Sequence, residues 1–77
     1  MATRAFILIE TAVGRAKQVA EALRALPGVQ SADVVTGTVD IIALAEAEDM
    51  SGLAELITGR MQEVRGVIRT ITCVAAG

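Results

Sequence analysis

The polar residues best placed for chemistry lie in two short segments of the chain. In Thr36-Gly37-Thr38-Val39-Asp40, a carboxylate follows a glycine turn and precedes an apolar run. In Arg69-Thr70-Ile71-Thr72-Cys73, the two threonine hydroxyls share one face of a predicted strand, because side chains alternate faces along a strand. Asp40 is also typical of a residue that stabilises a turn through backbone amides, and threonine is common in strands. The alternative interpretation is that both segments bind the polar groups of a ligand.

The chain lacks the residue types on which most catalysis depends. It contains no His, Asn, Tyr or Trp, so general acid–base chemistry would fall to Asp and Glu alone. The single cysteine, Cys73, has no partner for a disulfide or a zinc site and no histidine to activate it. We therefore expect no enzymatic activity, no metal and no cofactor. One reduced cysteine is also typical of a cytoplasmic protein.

The charge balance and the length of the apolar runs argue against two classes of partner, nucleic acid and membranes. The 77 residues carry 7 basic and 9 acidic side chains, and Lys17 is the only lysine. Sequence-independent binding to nucleic acid requires a cluster of positive charge, which this pattern does not provide. No apolar run reaches the roughly 18 residues that a membrane-spanning helix needs. We expect neither direct nucleic-acid binding nor a membrane partner.

Hydrophobic periodicity predicts six elements in the order β-α-β-β-α-β, within one domain spanning residues 1–77. Pro27-Gly28 is expected to end the first helix, and Asp49 is the expected N-cap of the second. Gly37 can adopt the positive φ that a tight turn needs, so it predicts a tight hairpin between the second and third strands. Gly59 lies inside the second helix at a cost in helix propensity, which predicts a close helix contact there. The predicted strands are 4–11, 29–36, 39–47 and 67–75.

This element order predicts an α+β, ferredoxin-like sandwich, in which a four-stranded antiparallel sheet carries two helices on one face. Such a sheet should alternate apolar and polar residues, but these strands are apolar on both faces. In the first strand Phe6 and Leu8 point to one face, and Ile7 and Ile9 point to the other. An exposed apolar face of this size marks an interface, and a second copy in a two-fold dimer is the simplest cover.

Four segments resemble the C-terminal effector domain of the Lrp/AsnC transcriptional regulators, which is called RAM. The most specific are the TG-x-x-D element, Thr36 to Asp40, and the GV-x-x-T-x-T element, Gly66 to Thr72. The resemblance extends over essentially the whole chain. It implies sheets that pair as a dimeric α/β barrel, and homodimers that join into octameric or decameric rings with amino-acid effectors in the clefts between dimers. The four segments are Phe6–Glu10, Leu26–Val29, Val34–Ile41 and Gly66–Thr72.

The resemblance also implies a set of effector-binding residues. Gly37, Thr38 and Asp40 would lie in the hairpin loop, and Thr70 and Thr72 on the last strand. Regulators of the family carry a helix-turn-helix domain that this chain lacks, so it looks like a stand-alone RAM domain. Such a domain would not bind DNA itself. It would affect transcription of amino-acid metabolism as an effector-binding oligomer, or by joining a full-length Lrp/AsnC regulator.

Two other functions are compatible with the same element order. An ACT-like regulatory domain also binds amino acids, with its ligand near the first strand and the following loop, here Glu10–Gly14. Substitutions of Asp40 and of Gly14 would separate this interpretation from the RAM-like one. A small enzyme of the dimeric α/β-barrel type is the third, and the missing His, Asn, Tyr and Trp argue against it.

Overall fold

A computed structural model describes residues 2–76 and confirms the predicted order of elements. The C-terminal part of the second helix is a π-helical turn, which no sequence pattern indicated. The elements are β1 (Thr3–Thr11), α1 (Ala16–Arg24), β2 (Val29–Val34), β3 (Ile41–Ala47), α2 (Met50–Leu56) with the π-turn (Ile57–Met61), and β4 (Val67–Val74).

The four strands form one antiparallel sheet in the order β2-β3-β1-β4, as the ferredoxin-like prediction requires. β1 is therefore a central strand, and β2 and β4 are the edges. Beyond the last residue of β4, the N–H of Ala75 donates to the carbonyl oxygen of Arg4 at 2.8 Å. The first and last described parts of the chain consequently run side by side at one end of the sheet.

The hydrophobic core lies between the sheet and the two helices. Ile7, Ile9 and Ile41 point from the central strands towards the helices and are fully buried. Each side chain of this size stabilises the fold by about 1.5–3 kcal/mol on burial. The helices contribute the largest of the other fully buried residues, which are Val19, Leu23, Leu53 and Met61.

The second helix begins as predicted but ends differently. The N–H of Gly52 donates to Oδ1 of Asp49 at 2.8 Å, which confirms Asp49 as the N-cap. In the π-turn, the N–H of Gln62 donates to the carbonyl oxygen of Ile57 at 2.9 Å. A Cβ added at Gly59 would meet nothing within 4 Å, because this residue faces solvent. The predicted close helix contact at Gly59 is therefore wrong.

The loop between β2 and β3 is longer than the tight hairpin that the sequence predicted. β2 ends at Val34 and β3 begins at Ile41, so residues 35–40 form the loop. The N–H of Val35 donates to the carbonyl oxygen of Asp40 at 2.9 Å, which closes this wider loop at its base. Gly37 has a φ of 158°, positive as predicted but close to ordinary extended backbone.

The sheet face without helices, hereafter the open face, is apolar at its centre, which confirms the two-sided character of the strands. Phe6 is 44% exposed and Ile71 is 43% exposed, although both belong to central rows of that face. Two cross-strand rows form this centre: Phe6 with Leu44 and Cys73, and Leu8 with Ile42 and Ile71.

Candidate functional site

A surface depression of about 630 Å³ lies where the loop after β1 meets the end of the β2–β3 loop. We call it the Asp40 depression. Its walls are mostly small apolar residues, and Asp40 and Lys17 are its two charged residues. The lining residues are Thr11, Ala12, Val13, Gly14, Ala16, Lys17, Val34 and Asp40.

Asp40 is held in place by β1. The N–H of Thr11 donates to Oδ2 of Asp40 at 2.8 Å, and the N–H of Asp40 donates to the carbonyl oxygen of Ile9 at 2.9 Å. A hydrogen bond from an amide to a carboxylate is stronger than one to a neutral acceptor. The prediction that Asp40 caps a backbone amide is thus confirmed, but the amide belongs to β1 and not to the β2–β3 turn. Within residues 2–76, Oδ1 of this carboxylate accepts no hydrogen bond and remains able to bind a donor.

The chain turns sharply between β1 and α1. Gly14 has a φ of 77°, a backbone conformation that favours glycine, and the N–H of Arg15 donates to the carbonyl oxygen of Ala12 at 3.0 Å. The N–H of Ala12 donates to the carbonyl oxygen of Gly66 at 2.8 Å, which fixes the loop to the start of β4. Val13 at the tip is completely exposed. The depression therefore has a fixed base and an open rim.

The two charges of the depression have opposite signs. Lys17 lies in the first turn of α1, and Asp40 is the last residue of the β2–β3 loop, so they approach the depression from different parts of the chain. A carboxylate binds an ammonium group and a lysine binds a carboxylate through charge-assisted hydrogen bonds. Ala12, Ala16 and Val34 provide apolar surface in the same depression. This arrangement is suited to a small zwitterion with an aliphatic side chain.

Of the five effector-binding residues predicted from the sequence, only Asp40 lines this depression. Gly37 and Thr38 are exposed in the β2–β3 loop. Thr70 and Thr72 lie opposite Ile9 and Ile7 on β1, so they are on the helix-bearing face. Within one copy of the chain, β1 lies between these threonines and the loop.

The two threonines also belong to different surface features. The Oγ1 atom of Thr70 accepts a hydrogen bond of 2.8 Å from Nε2 of Gln62, in a cleft of about 310 Å³. Thr72 lines a separate apolar groove of about 160 Å³ between α2 and β4. The five predicted residues therefore form no single site in one copy, and their shared role in effector binding stays a prediction.

Three lining residues lie outside both sites that the sequence indicated: Ala16, Lys17 and Val34. The other lining residues belong to the predicted RAM-like site, which includes Asp40, or to Glu10–Gly14, the segment of the ACT-like alternative. The structure brings that loop together with Asp40. Substituting Asp40 or Gly14 would consequently disturb the same depression, and the comparison no longer separates the two interpretations.

Among residues 2–76, no group of three or more His, Cys, Asp and Glu side chains is arranged to hold a metal ion. Over the same residues, no helix has the length and apolar character needed to cross a membrane. Cys73 is a free thiol, exposed on the open face.

Comparison with known proteins connects this fold to transcriptional regulators. A sequence model described as the Lrp/AsnC ligand binding domain matches residues 4–76. An HTH-type transcriptional regulator of Pyrococcus abyssi is 30% identical over 78 residues, which cover 97% of this chain and 52% of the regulator. The chain thus spans about half the length of the curated relatives it matches.

Two crystal structures show the same architecture. TTHA0845 from Thermus thermophilus is similar with a TM-score of 0.91 and 33% identity, over 97% of this chain and 94% of that one. The transcriptional regulator NMB0573 from Neisseria meningitidis, in complex with L-Met, has a TM-score of 0.85 and 22% identity. That similarity covers 97% of this chain and 50% of the regulator, and at this identity it shows the fold alone.

Proposed function

The chain belongs to the Lrp/AsnC ligand-binding domain family, and from that premise we propose that it is a non-enzymatic module that binds an amino acid and self-associates. The observation that carries the ligand proposal is the Asp40 depression, whose lining combines one carboxylate residue and one lysine with small apolar residues. The proposal is consistent with the crystal structure of NMB0573, a regulator that shares this fold over half of its chain and was crystallised as a complex with L-Met.

The chemistry of the lining residues defines how an amino acid would bind. Its α-ammonium group would donate to Oδ1 of Asp40, while Oδ2 keeps the Thr11 amide. Its α-carboxylate would accept from the ammonium group of Lys17. A small aliphatic side chain would cover Ala16 and Val34, since both belong to the walls.

We further propose that a neighbouring copy completes the site. Val13 at the rim is completely exposed, and Gly37 and Thr38 are also exposed, so these residues are available to an adjacent dimer. In a ring, Thr70 and Thr72 of one dimer would then approach the loop of the next. An octameric or decameric ring is the assembly that we propose.

The dimers of this ring would form through the open face. Its two apolar rows present a surface that is large for a monomer, and the same face of a second copy is a self-complementary cover.

We place the protein in the cytoplasm, where the free thiol of Cys73 would stay reduced. It would affect transcription without binding DNA, by mixed assembly with a full-length regulator of its family.

A thermal-shift screen of the twenty common amino acids, followed by calorimetry of each hit, tests the ligand proposal. We expect one or a few aliphatic amino acids to raise the melting temperature, and Lys17→Met to abolish this effect. Arg15→Met is the matched control, because Arg15 is exposed outside the depression. If none of the twenty binds, the amino-acid proposal is wrong.

Copurification with full-length regulators from the host tests the proposal of mixed assembly. Recovery of the protein as a homo-oligomer alone would contradict that proposal.

A further inference from the structure

The open-face side chains of β1 alternate in a way that is complementary to themselves. Arg4, Phe6, Leu8 and Glu10 are successive residues of that face, because Ala5, Ile7 and Ile9 between them are buried against the helices. The row thus consists of a cation, two apolar residues and an anion. Arg4 and Glu10 are equally distant from Ile7, the midpoint of the strand.

β1 also passes through the middle of the apolar part of the open face. Phe6 lies between Leu44 on β3 and Cys73 on β4. Leu8 lies between Ile42 and Ile71 in the same manner. In a two-fold dimer centred on this apolar part, β1 of one copy would face β1 of the other.

From this placement we infer that Arg4 and Glu10 determine which chains pair across the open face. The partner is a second copy with its β1 antiparallel to the first, so that Arg4 of each copy meets Glu10 of the other. The inference rests on the dimer proposed above. With the two strands parallel and facing each other, Arg4 would meet Arg4 and Glu10 would meet Glu10, which is unfavourable.

The lateral neighbours of both charges fit this role. Glu10 lies opposite Arg69 on β4, with 3.6 Å between Oε2 and Nη2, and Arg4 lies opposite Glu46 on β3. Each end of the apolar rows thus carries both signs of charge. Charges covered by a partner need opposite charges and hydrogen bonds nearby, and an arrangement of this kind provides them.

Charged pairs at the rim of an interface contribute more to the choice of partner than to affinity. The apolar rows would supply the affinity of the dimer. Arg4 and Glu10 would reject a chain that carries like charges at the facing positions. In mixed assemblies, they would admit only a family member with the same order of charges on its first strand.

A charge exchange tests the inference at constant net charge. The quadruple variant Arg4→Glu/Glu46→Arg/Glu10→Arg/Arg69→Glu should dimerise with itself, since each contact between its two copies, and each contact with the neighbouring strand, again joins a carboxylate to a guanidinium. Mixed with the wild type, it would bring like charges together at both contacts. Native mass spectrometry of an equimolar mixture, with one chain isotope-labelled, measures the heterodimer, and we expect at most about one fifth of the statistical share.

Two further measurements make the outcome specific. The single variants Arg4→Glu and Glu10→Arg should each self-associate weakly and should form a heterodimer with one another. The exchange Arg15→Glu/Glu21→Arg, on exposed residues at and within α1, is the matched control and should mix statistically with the wild type. A statistical share of heterodimer between wild type and the quadruple variant would overturn the inference and leave the dimer intact. A monomeric wild type would overturn the dimer as well.

Discussion

The backbone N–H of Thr11 donates a hydrogen bond of 2.8 Å to Oδ2 of Asp40, across 29 positions of sequence. The carboxylate that we propose as the ligand for an ammonium group is therefore also the group that fixes the end of β1. The Asp40 side chain thus contributes both to ligand binding and to stability. The two roles use different carboxylate oxygens, Oδ1 for the ligand and Oδ2 for the Thr11 amide. The hydrogen bond needs an acceptor oxygen, whereas the ammonium group needs a negative charge.

Asp40→Asn should separate the two properties. An amide oxygen can still accept from Thr11, so we expect the free energy of unfolding to fall by less than about 1 kcal/mol, against about 1–2 kcal/mol for Asp40→Ala. The loss of charge should weaken amino-acid binding by at least about tenfold. Urea denaturation and calorimetry measure the two effects. Unchanged affinity in Asp40→Asn would exclude Asp40 as the ammonium ligand.

Gly59→Ala should stabilise the protein by roughly 0.5–1 kcal/mol, because alanine is the better helix former. A Cβ at this position would meet nothing within 4 Å. Gly66→Ala is the contrasting variant, since Gly66 has a φ of 103° and its Cβ would lie 2.8 Å from Cγ2 of Val19. Thermal denaturation should show the two variants moving in opposite directions, and destabilisation by Gly59→Ala would contradict the solvent-facing position.

Asp49→Ala should lower the free energy of unfolding by about 1 kcal/mol, because the amide of Gly52 would lose its acceptor at the N-terminus of α2. The neighbouring Glu48→Ala is the control, since Glu48 precedes the cap and does not bond the Gly52 amide. Chemical denaturation of both variants at one protein concentration provides the comparison. Equal stability of the two would mean that the cap contributes nothing measurable.

Phe6→Thr and Ile7→Thr place the same residue on opposite faces of β1. Phe6 is 44% exposed in one copy, so its replacement should dissociate the proposed dimer while the fold persists. Ile7 is fully buried, and its replacement should cost the fold about 2–5 kcal/mol. Sedimentation equilibrium and urea denaturation distinguish these outcomes. A dimer that survives Phe6→Thr with unchanged affinity would argue against the open face as its interface.

The sequence predicted best those features that follow from local periodicity. Alternation in β1 correctly assigned Ile7 to one face and Phe6 to the other, and Asp49 was recognised as a cap because its side chain serves the next turn. The π-turn was missed, since one additional residue per turn leaves Ile57 and Met61 in the same apolar spacing. Apolar periodicity cannot distinguish that turn from an ordinary helical one.

The candidate site was harder to predict because it combines distant parts of the chain. The neighbouring glycine turn indicates Asp40 as a candidate, but the contact of Asp40 with Thr11 depends on how β3 pairs with β1. Lys17 lies on the exposed side of α1, where a charge is expected for solubility alone. Only the packing of α1 beside the β2–β3 loop brings it to the depression.

The hydrogen bond from the N–H of Ala75 to the carbonyl oxygen of Arg4 affects how a bound molecule could influence a domain attached to this chain. The first and last described residues lie at the Arg4 end of the sheet, while the Asp40 depression lies at the Thr11 end of β1. Between Arg4 and Thr11 the strand rises roughly 23 Å, at about 3.3 Å per residue. A domain joined at either end would begin at the far side of the sheet from the bound molecule. A signal from the bound molecule to such a domain would then have to cross the length of the sheet.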